Sequence, residues 1–171
     1  MIRKKKRYLR PKKAYEISRI KEENELLKKY GLKNKKEVWK TIAKVDYFRH
    51  RAKALAKSPP EEQQVLFSKL KSLGLDANNI SDVLALKIEN ILERRLPTII
   101  FKKGLAKTAR EARQMVVHKR VVIGSNIIDV PSYLVSLGEE KQISIKVKAK
   151  KQKEEKKEIE AQKETKEEAK Q

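Results

Sequence analysis

The chain has 171 residues, enough for one domain of moderate size or for two small domains and a tail. Lysine and arginine number 44 against 23 acidic residues, and the formal charge of +21 predicts a phosphate polymer or an anionic membrane surface as partner. The absence of cysteine excludes disulfides, thiol catalysis and cysteine-ligated zinc, and only two histidines are present, so neither a metal nor a cofactor is expected.

The distribution of charged and apolar residues along the chain indicates where the protein is located and which regions bind its partner. No apolar run approaches the roughly 18–20 residues that span a bilayer, and the basic N-terminus lacks the apolar core of a signal peptide, so a soluble, cytoplasmic protein is expected. Residues 1–60 carry a net charge of +15, residues 61–93 of −3, residues 94–145 of +6 and residues 146–171 of +3. The front of the chain and residues 94–145 are therefore the expected binding regions.

The first segment, residues 1–14, is predicted to be a basic arm. Residues 1–13 hold eight basic side chains and no acid, so the arm repels itself and should be disordered alone and become ordered on nucleic acid; a solubilising tail is the alternative. Tyr8 supplies a flat ring that can stack on a base. The arm cations expected to contact nucleic acid are Arg3, Lys4, Lys5, Lys6, Arg7, Arg10, Lys12 and Lys13.

Residues 15–93 are predicted to form a helical domain. One helix ends at Gly31, and a second is expected over Lys35–Lys57. Its predicted buried stripe consists of Val38, Trp39, Ile42, Val45 and Ala52, with Trp39 as a core anchor. The cations predicted to form a ridge beside this stripe are Lys40, Lys44, Arg49, Arg51 and Lys53.

The middle of the chain is expected to be scaffold because its net charge is slightly negative. The sequence Ser58-Pro59-Pro60-Glu61 predicts a capping box that starts a helix ending at Gly74. A further helix is expected to begin near Ser81 and to align one apolar face. That face consists of Leu84, Ile88, Ile91 and Leu92.

Residues 94–147 are predicted to form a compact module. Pro97 fits the first turn of a short helix ending at Gly104, and Thr108 with Glu111 predicts a capping box that opens a helix to about His118. A 100° helical wheel places two sets of side chains on opposite faces. The apolar face holds Ala109, Ala112, Met115 and Val116, and the polar face holds Arg110, Arg113, Gln114 and His118.

Short β-strands should complete the module. A hairpin is predicted from Val121–Ile123 and Ile127–Val130 around a Gly124-Ser125-Asn126 turn, with residues 142–147 as a third strand and Tyr133 in the core. The Lys/Glu-rich residues 148–171 have no apolar face and are expected to be disordered. The predicted fold class is therefore α+β: a mostly helical N-terminal domain and a small helix-helix-β-hairpin module.

A family resemblance rests on one continuous stretch. It runs from Leu92 to Tyr133 and reads LERRLPTIIFKKGLAKTAREARQMVVHKRVVIGSNIIDVPSY. The order of Arg-Arg-Leu, Gly-Leu-Ala-Lys-Thr, Ala-Arg-Glu-Ala-Arg-Gln, the helix-end histidine and Val-Pro-Ser-Tyr resembles the RNA-binding module of the small-subunit ribosomal protein four family. Residues 22–40, EENELLKKYGLKNKKEVWK, are similar to the helical part of its archaeal and eukaryotic branch. The resemblance covers most of residues 10–145.

This resemblance implies a structural protein that binds small-subunit ribosomal RNA at a multi-helix junction and nucleates assembly. It implies a cytoplasmic place in the small subunit near the path of incoming messenger RNA, itself a possible partner, and beside proteins such as ribosomal protein five. The RNA contacts carried over by position are Arg95, Lys107, Thr108, Arg110, Arg113, Gln114, His118 and Arg120. Charge adds Arg94, Lys102, Lys103, Lys119, Arg49 and Arg51 to the expected contacts.

This interpretation is limited by departures from the family pattern and by alternative functions. The four-cysteine zinc knuckle of many bacterial members is missing, and Ile123-Gly124-Ser125-Asn126 replaces the bacterial Val-Asn-Gly turn. Pseudouridine synthases and tyrosine-specific tRNA ligases carry the same module, but they need a catalytic domain. The four aspartates lie in no catalytic setting and no glycine-rich phosphate loop is present, so an enzyme is not expected. These aspartates are Asp46, Asp76, Asp82 and Asp129. A non-ribosomal RNA-binding protein or a general nucleic-acid compacting protein is the alternative.

Overall fold

The fold is described from a computed structural model, which defines Lys6 and residues 8–146. The helices are α1 (Ile17–Tyr30), α2 (Lys35–Leu55), α3 (Pro60–Ser72), α4 (Ile80–Ala85), α5 (Ile88–Glu93), α6 (Leu96–Lys102), α7 (Ala109–Val117) and α8 (Leu137–Glu140). The strands β1 (Val121–Ile123), β2 (Asn126–Ile127) and β3 (Ile143–Ile145) form an antiparallel sheet in the order β2-β1-β3. The α+β fold class is thereby confirmed.

Two hydrophobic clusters divide the described residues. One joins α2 to α3, α4 and α5 around side chains such as Phe48 and Leu70, and the other joins α6 and α7 to β1 around Ile100 and Val116. We call α1–α5 the helical unit and residues 94–146 the module. The division of the chain at residues 93 and 94 into separate domains stays a prediction.

A hub around Glu23 holds α1 on α2. Glu23 is 4% exposed, and its carboxylate accepts hydrogen bonds from the Trp39 indole N–H at 2.8 Å and from Arg19 at 2.7 Å, while the Lys35 ammonium lies at 3.4 Å. Burial raises the pKa of Glu23, but these donors outweigh burial and leave the pKa below its ordinary value.

The buried face of α2 differs from the predicted stripe, because Trp39 is only half-buried. The buried residues of α2 are Val38, Thr41, Val45, Phe48 and Ala52.

Two predicted helix signals in the middle region are wrong. Pro59 rather than Ser58 occupies the cap position of α3, and no side chain caps that helix. The single helix expected from Ser81 is divided into α4 and α5 at Leu86, whose ψ is 129°. The break lets Leu86 enter the core and leaves its carbonyl to accept a 2.7 Å hydrogen bond from Arg49, which ties α2 to this segment.

The turn between α1 and α2 requires glycine for two reasons. Gly31 ends α1 at a φ of +60°, a left-handed conformation that side chains disfavour. A Cβ at this position would also lie 2.8 Å from the carbonyl carbon of Ala109 and 3.0 Å from the backbone nitrogen of Arg110. The turn therefore packs directly on the start of α7 in the module.

The sheet of the module is shorter than predicted. β2 is Asn126–Ile127 rather than Ile127–Val130, because Asn126, predicted to lie in the turn, pairs with Ile123. After Ile128 the chain leaves the sheet and turns, with the Tyr133 N–H donating to the Val130 carbonyl. Ile143–Ile145 confirms the third strand. Tyr133 is half-buried, and its hydroxyl donates to Glu139 at 2.7 Å within the unpredicted helix α8.

Candidate nucleic-acid interface

The start of α7 presents two free cations. Lys107 and Arg110 are exposed, and neither side chain has an acidic partner within Lys6 and residues 8–146. Thr108 caps the helix by accepting the Glu111 N–H at 3.2 Å. The Glu111 carboxylate accepts the Lys107 N–H at 2.7 Å, one residue before the position that a capping box requires. This local bonding fixes the backbone that carries Lys107 and Arg110.

Arg113 does not share the outward face of Arg110, and that part of the helical-wheel prediction is wrong. Its two terminal nitrogens donate to the Glu37 carboxylate of α2 at 3.0 and 2.6 Å, and its side chain is 18% exposed. A wheel drawn for α7 alone cannot include Glu37, which lies 76 residues earlier in the chain. The Arg113 guanidinium is already engaged within the protein.

Arg95 is held by the same carboxylate. Its Nη2 donates to Glu37 at 2.8 Å, and its Nε and Nη2 lie 3.2 and 3.1 Å from the Pro131 carbonyl oxygen. The Arg95 side chain is 6% exposed and that of Glu37 is 17% exposed. Burial raises the pKa of Glu37, but the hydrogen bonds from Arg113 and Arg95 outweigh burial and leave that pKa lowered. A role of Arg95 or Arg113 in contacting RNA stays a prediction.

The other predicted cations of the module differ in how firmly they are held. Arg94 is part-buried and donates to the Val135 carbonyl at 3.1 Å and to Glu140 at 2.9 Å. Lys103, by contrast, is exposed and donates to the Glu140 carbonyl oxygen. Two further cations form pairs with exposed acids: Lys102 with Glu93 at 2.8 Å and Lys119 with Asp129 at 3.9 Å. Because pairs between exposed side chains contribute little to stability, either lysine can leave its acid and bind a phosphate instead. Gln114 and His118 are exposed, and Arg120 is half-buried.

The predicted cations of the helical unit fall into two groups. Arg49 bonds the Leu86 carbonyl and lies 3.8 Å from Asp46, so it is a structural contact. Arg51 is exposed and donates to the Tyr47 hydroxyl at 3.2 Å, which leaves its charge accessible.

The arm is anchored at Tyr8. The ring centroids of Tyr8 and Trp39 lie 6.3 Å apart, and the Lys40 ammonium lies 6.0 Å from the Tyr8 ring. The expected disorder therefore does not extend to Tyr8, because this ring supplies apolar surface that a count of charges overlooks. The exposed arm cations are Lys6, Arg10, Lys12 and Lys13. The predictions for Arg3, Lys4, Lys5, Arg7 and residues 147–171 lie outside the described residues.

Two further exposed cations are close in sequence to residues that contact α7, and they were not among the predicted RNA contacts. Lys33 lies two residues after Gly31, and Lys36 immediately precedes Glu37. Because Gly31 contacts Ala109 and Glu37 binds Arg113, both lysines lie at the junction of the two units. The basic run Lys-Asn-Lys-Lys that directly follows a helix stop was the available signal. We define the joint surface as Lys33, Lys36, Lys107 and Arg110.

Other kinds of site were sought among the described residues. There, no three histidine, aspartate or glutamate side chains are grouped so that they could hold a metal ion. None of the helices in that part of the chain combines the length and apolar character needed to cross a membrane.

Comparison with known proteins places the chain in a family. Residues 94–141 match the S4 domain. The chain is 45% identical over 141 residues to small ribosomal subunit protein uS4 of Hyperthermus butylicus, an alignment that covers 79% of this chain and 80% of that protein. It is 43% identical over 144 residues to uS4 of Methanothermobacter thermautotrophicus, with 81% and 84% covered. For uS4 of Methanococcus aeolicus the identity is 43% over 146 residues, with 81% and 82% covered. The chain therefore belongs to the uS4 family of small ribosomal subunit proteins.

Proposed function

We propose that this protein is a structural, non-enzymatic component of the small ribosomal subunit that binds small-subunit ribosomal RNA at a multi-helix junction. The observation that carries the proposal is the joint surface, where exposed cations of two docked units flank the contacts between those units and one unit matches the S4 domain. The curated relatives are named as small ribosomal subunit proteins.

The chemistry of the joint surface suits folded RNA. The deep major groove of A-form RNA resists side chains, so recognition relies on shape and on phosphate and sugar contacts. Arg110 can grip a phosphate with two hydrogen bonds, whereas Lys107, Lys33 and Lys36 supply point charges. At a junction several phosphate backbones converge, and cations on two rigidly joined units can contact two of them at a set spacing.

The same arrangement supports a role early in assembly. A protein whose cations are positioned before binding can hold two RNA helices together without first ordering itself. We place the protein near the path by which messenger RNA enters the subunit, with neighbours that include ribosomal protein five. Exposed apolar side chains on the module, among them Val117, Ile127 and Leu137, offer contact area to a neighbouring protein.

A binding comparison tests the proposal. The dissociation constant for a small-subunit ribosomal RNA junction should be at least tenfold lower than for a plain RNA duplex of equal length, measured at raised salt. Equal affinities would instead support a general nucleic-acid compacting protein.

The ribosomal location has its own test. The native protein should sediment with small subunits after a high-salt wash, because a junction clamp makes many phosphate contacts at once. Release of the protein by the wash, together with a preference for junction RNA, would favour an RNA-binding role off the ribosome.

A further inference from the structure

We infer that Glu37 is a positioning residue for RNA binding: its carboxylate clamps α2 to the module and so sets the geometry of the joint surface. This inference rests on the proposed function. It has an unusual consequence for a protein with a formal charge of +21, because an acidic residue then increases the affinity for RNA.

The geometry around Glu37 is that of a clamp. Glu37 is the third residue of α2, after Asn34 at the cap position. Its Oε1 accepts from Arg113 at 2.6 Å, and its Oε2 accepts from Arg113 at 3.0 Å and from Arg95 at 2.8 Å. Charge-assisted hydrogen bonds with this two-pronged geometry fix orientation as well as distance. Since all three side chains are largely shielded from solvent, salt screens the contact less than it screens an exposed pair.

The clamp reaches three segments of the module and its borders. Arg113 lies in α7, Arg95 precedes α6, and the Arg95 guanidinium also donates to the Pro131 carbonyl oxygen after the hairpin. One carboxylate of α2 therefore holds the module through α7, through the cap position of α6 and, via Arg95, through the segment after the hairpin.

A second contact works with the clamp. Gly31 packs on the backbone of Ala109 and Arg110, and Glu37 binds Arg113. Along the helical unit, Gly31 and Glu37 lie on either side of Lys33 and Lys36. Other contacts also join the units, among them Leu134 packed on the cluster of the helical unit, but the Gly31 contact and the Glu37 clamp are the ones that hold the helical unit against α7. Loss of Glu37 would also leave Arg95 and Arg113 as neighbouring unpaired cations that repel each other.

Simple electrostatics predicts the opposite effect of removing Glu37. Loss of one acid raises the net positive charge, which strengthens binding to any polyanion. A positioning role predicts weaker binding only for an RNA whose phosphates are arranged in a fixed shape. The direction of the change on junction RNA therefore separates the two explanations.

The experiment compares Glu37→Gln with Glu25→Gln, which makes the same charge change at an exposed residue of α1. Dissociation constants are measured for the junction RNA and for the plain duplex. We expect Glu37→Gln to weaken junction binding at least tenfold and to leave duplex binding equal or tighter. Glu25→Gln should weaken neither. Glu37→Asp, which keeps the charge, should recover part of the lost affinity.

A distance measurement reports the clamp directly. The chain has no cysteine, so Asn24→Cys and Ser144→Cys place spin labels at exposed positions of α1 and β3 without competing sites. Double electron–electron resonance should show a broader distribution of distances between the two labels in Glu37→Gln than in the parent. Circular dichroism should show the same helix content in both proteins. If Glu37→Gln does not fold, Arg113→Lys keeps the charge of α7 and removes the two-pronged contact. Arg113→Lys should then show both weaker binding to junction RNA and a broader distance distribution.

The outcomes separate this inference from the proposed function. A parent protein that does not prefer junction RNA would remove the proposed function itself. A parent that prefers the junction, with Glu37→Gln binding it equally well or showing an unchanged distance distribution, would overturn the positioning role alone. If Arg113→Lys is the variant used, parent-like binding or distances would overturn it in the same way.

Discussion

The two ends of α7 hold their basic side chains in different ways. Near its start, the helix meets the helical unit: Ala109 packs on Gly31, and Arg113 lies against Glu37. At its end, His118 is exposed, and Lys119 reaches Asp129 only at 3.9 Å between two exposed side chains. Arg113 is thus held by an acid of the helical unit, whereas His118 and Lys119 after the end of the helix are exposed to solvent.

This difference shows that a basic residue in a cationic protein is not by itself a binding residue. Arg110 and Arg113 are three residues apart, yet only Arg113 has an acidic partner within the described residues. Where a buried acid accepts the guanidinium, the cation serves the fold. Where no such acid is present, the cation is available to phosphate.

Salt concentration gives the largest expected effect, because it acts on every contact between an exposed cation and a phosphate. If six to ten phosphates are contacted, the affinity for junction RNA should fall about 10³–10⁵-fold between roughly 50 and 200 mM salt. Replacing both Lys107 and Arg110 by alanine should flatten the dependence of log affinity on log salt by about one phosphate contact each. Filter binding across a salt series measures both slopes. A flat response of the parent protein would contradict a phosphate-based interface.

Arg113→Ala and Arg110→Ala should differ in what they change. Arg113→Ala leaves the partly buried Glu37 with Arg95 as its remaining partner and should lower the free energy of unfolding by about 3 kcal/mol. Arg110→Ala should change that free energy by less than about 0.5 kcal/mol, because its side chain is exposed. It should nevertheless weaken junction binding roughly tenfold, the loss expected for one charge-assisted hydrogen bond. Urea denaturation and RNA titration measure the two effects, and equal losses of stability would contradict the distinction.

Acid should weaken the contact between Glu37 and Arg113 of α7. The pKa of Glu37 is lowered from its ordinary value of 4.5, so the folded protein favours the ionised carboxylate more than the unfolded chain does. Its contribution to stability is therefore complete above about pH 4.5 and is lost as the pH falls through the lower pKa of the folded state. The difference in free energy of unfolding between the parent and Glu37→Gln should shrink on acidification.

Urea denaturation at several pH values checks this sign. Glu23, Glu93 and Glu139 also have lowered pKa values, but they are present in both proteins and cancel in the difference. Glu25→Gln, which makes the same charge change at an exposed position, serves as the control. A difference that stays constant through the acid range would mean that Glu37 carries no charge-dependent stability.

The exposed end of α7 gives the smallest effect. Because the pair of Lys119 with Asp129 is exposed and 3.9 Å long, Asp129→Asn should change the free energy of unfolding by less than about 0.5 kcal/mol. It should leave Lys119 freer to contact phosphate and slightly strengthen RNA binding. A thermal melt and an RNA titration measure these changes. A large loss of stability would show that the pair of Lys119 with Asp129 stabilises the fold.

Local signals in the sequence predicted much of the fold. Gly31, Gly74 and Gly104 each adopt a positive φ next to the helix ends where they were expected, since glycine is least disfavoured there. Thr108 caps α7 as its spacing before Glu111 indicated. Such features depend on residues close in sequence, which is why they can be read without a structure.

Contacts between distant segments could not be predicted in the same way. The pairing of Glu37 with Arg113 joins positions 76 residues apart, and no local pattern marks it. The break at Leu86 likewise reflects the demand of the core and of Arg49 rather than a glycine or proline in the helix. The assignment of individual RNA contacts and of domain boundaries stays a prediction, because both depend on arrangements beyond any single helix.

The contact between Gly31 and Ala109 also sets an order of events during synthesis. The helical unit leaves the translating ribosome first and can form its own cluster before the module exists. The joint surface brings together segments more than seventy residues apart in the chain, so it can form only after both units have been synthesised. A nascent chain that stops before Arg113 therefore carries the basic arm without the geometry that discriminates between RNA shapes.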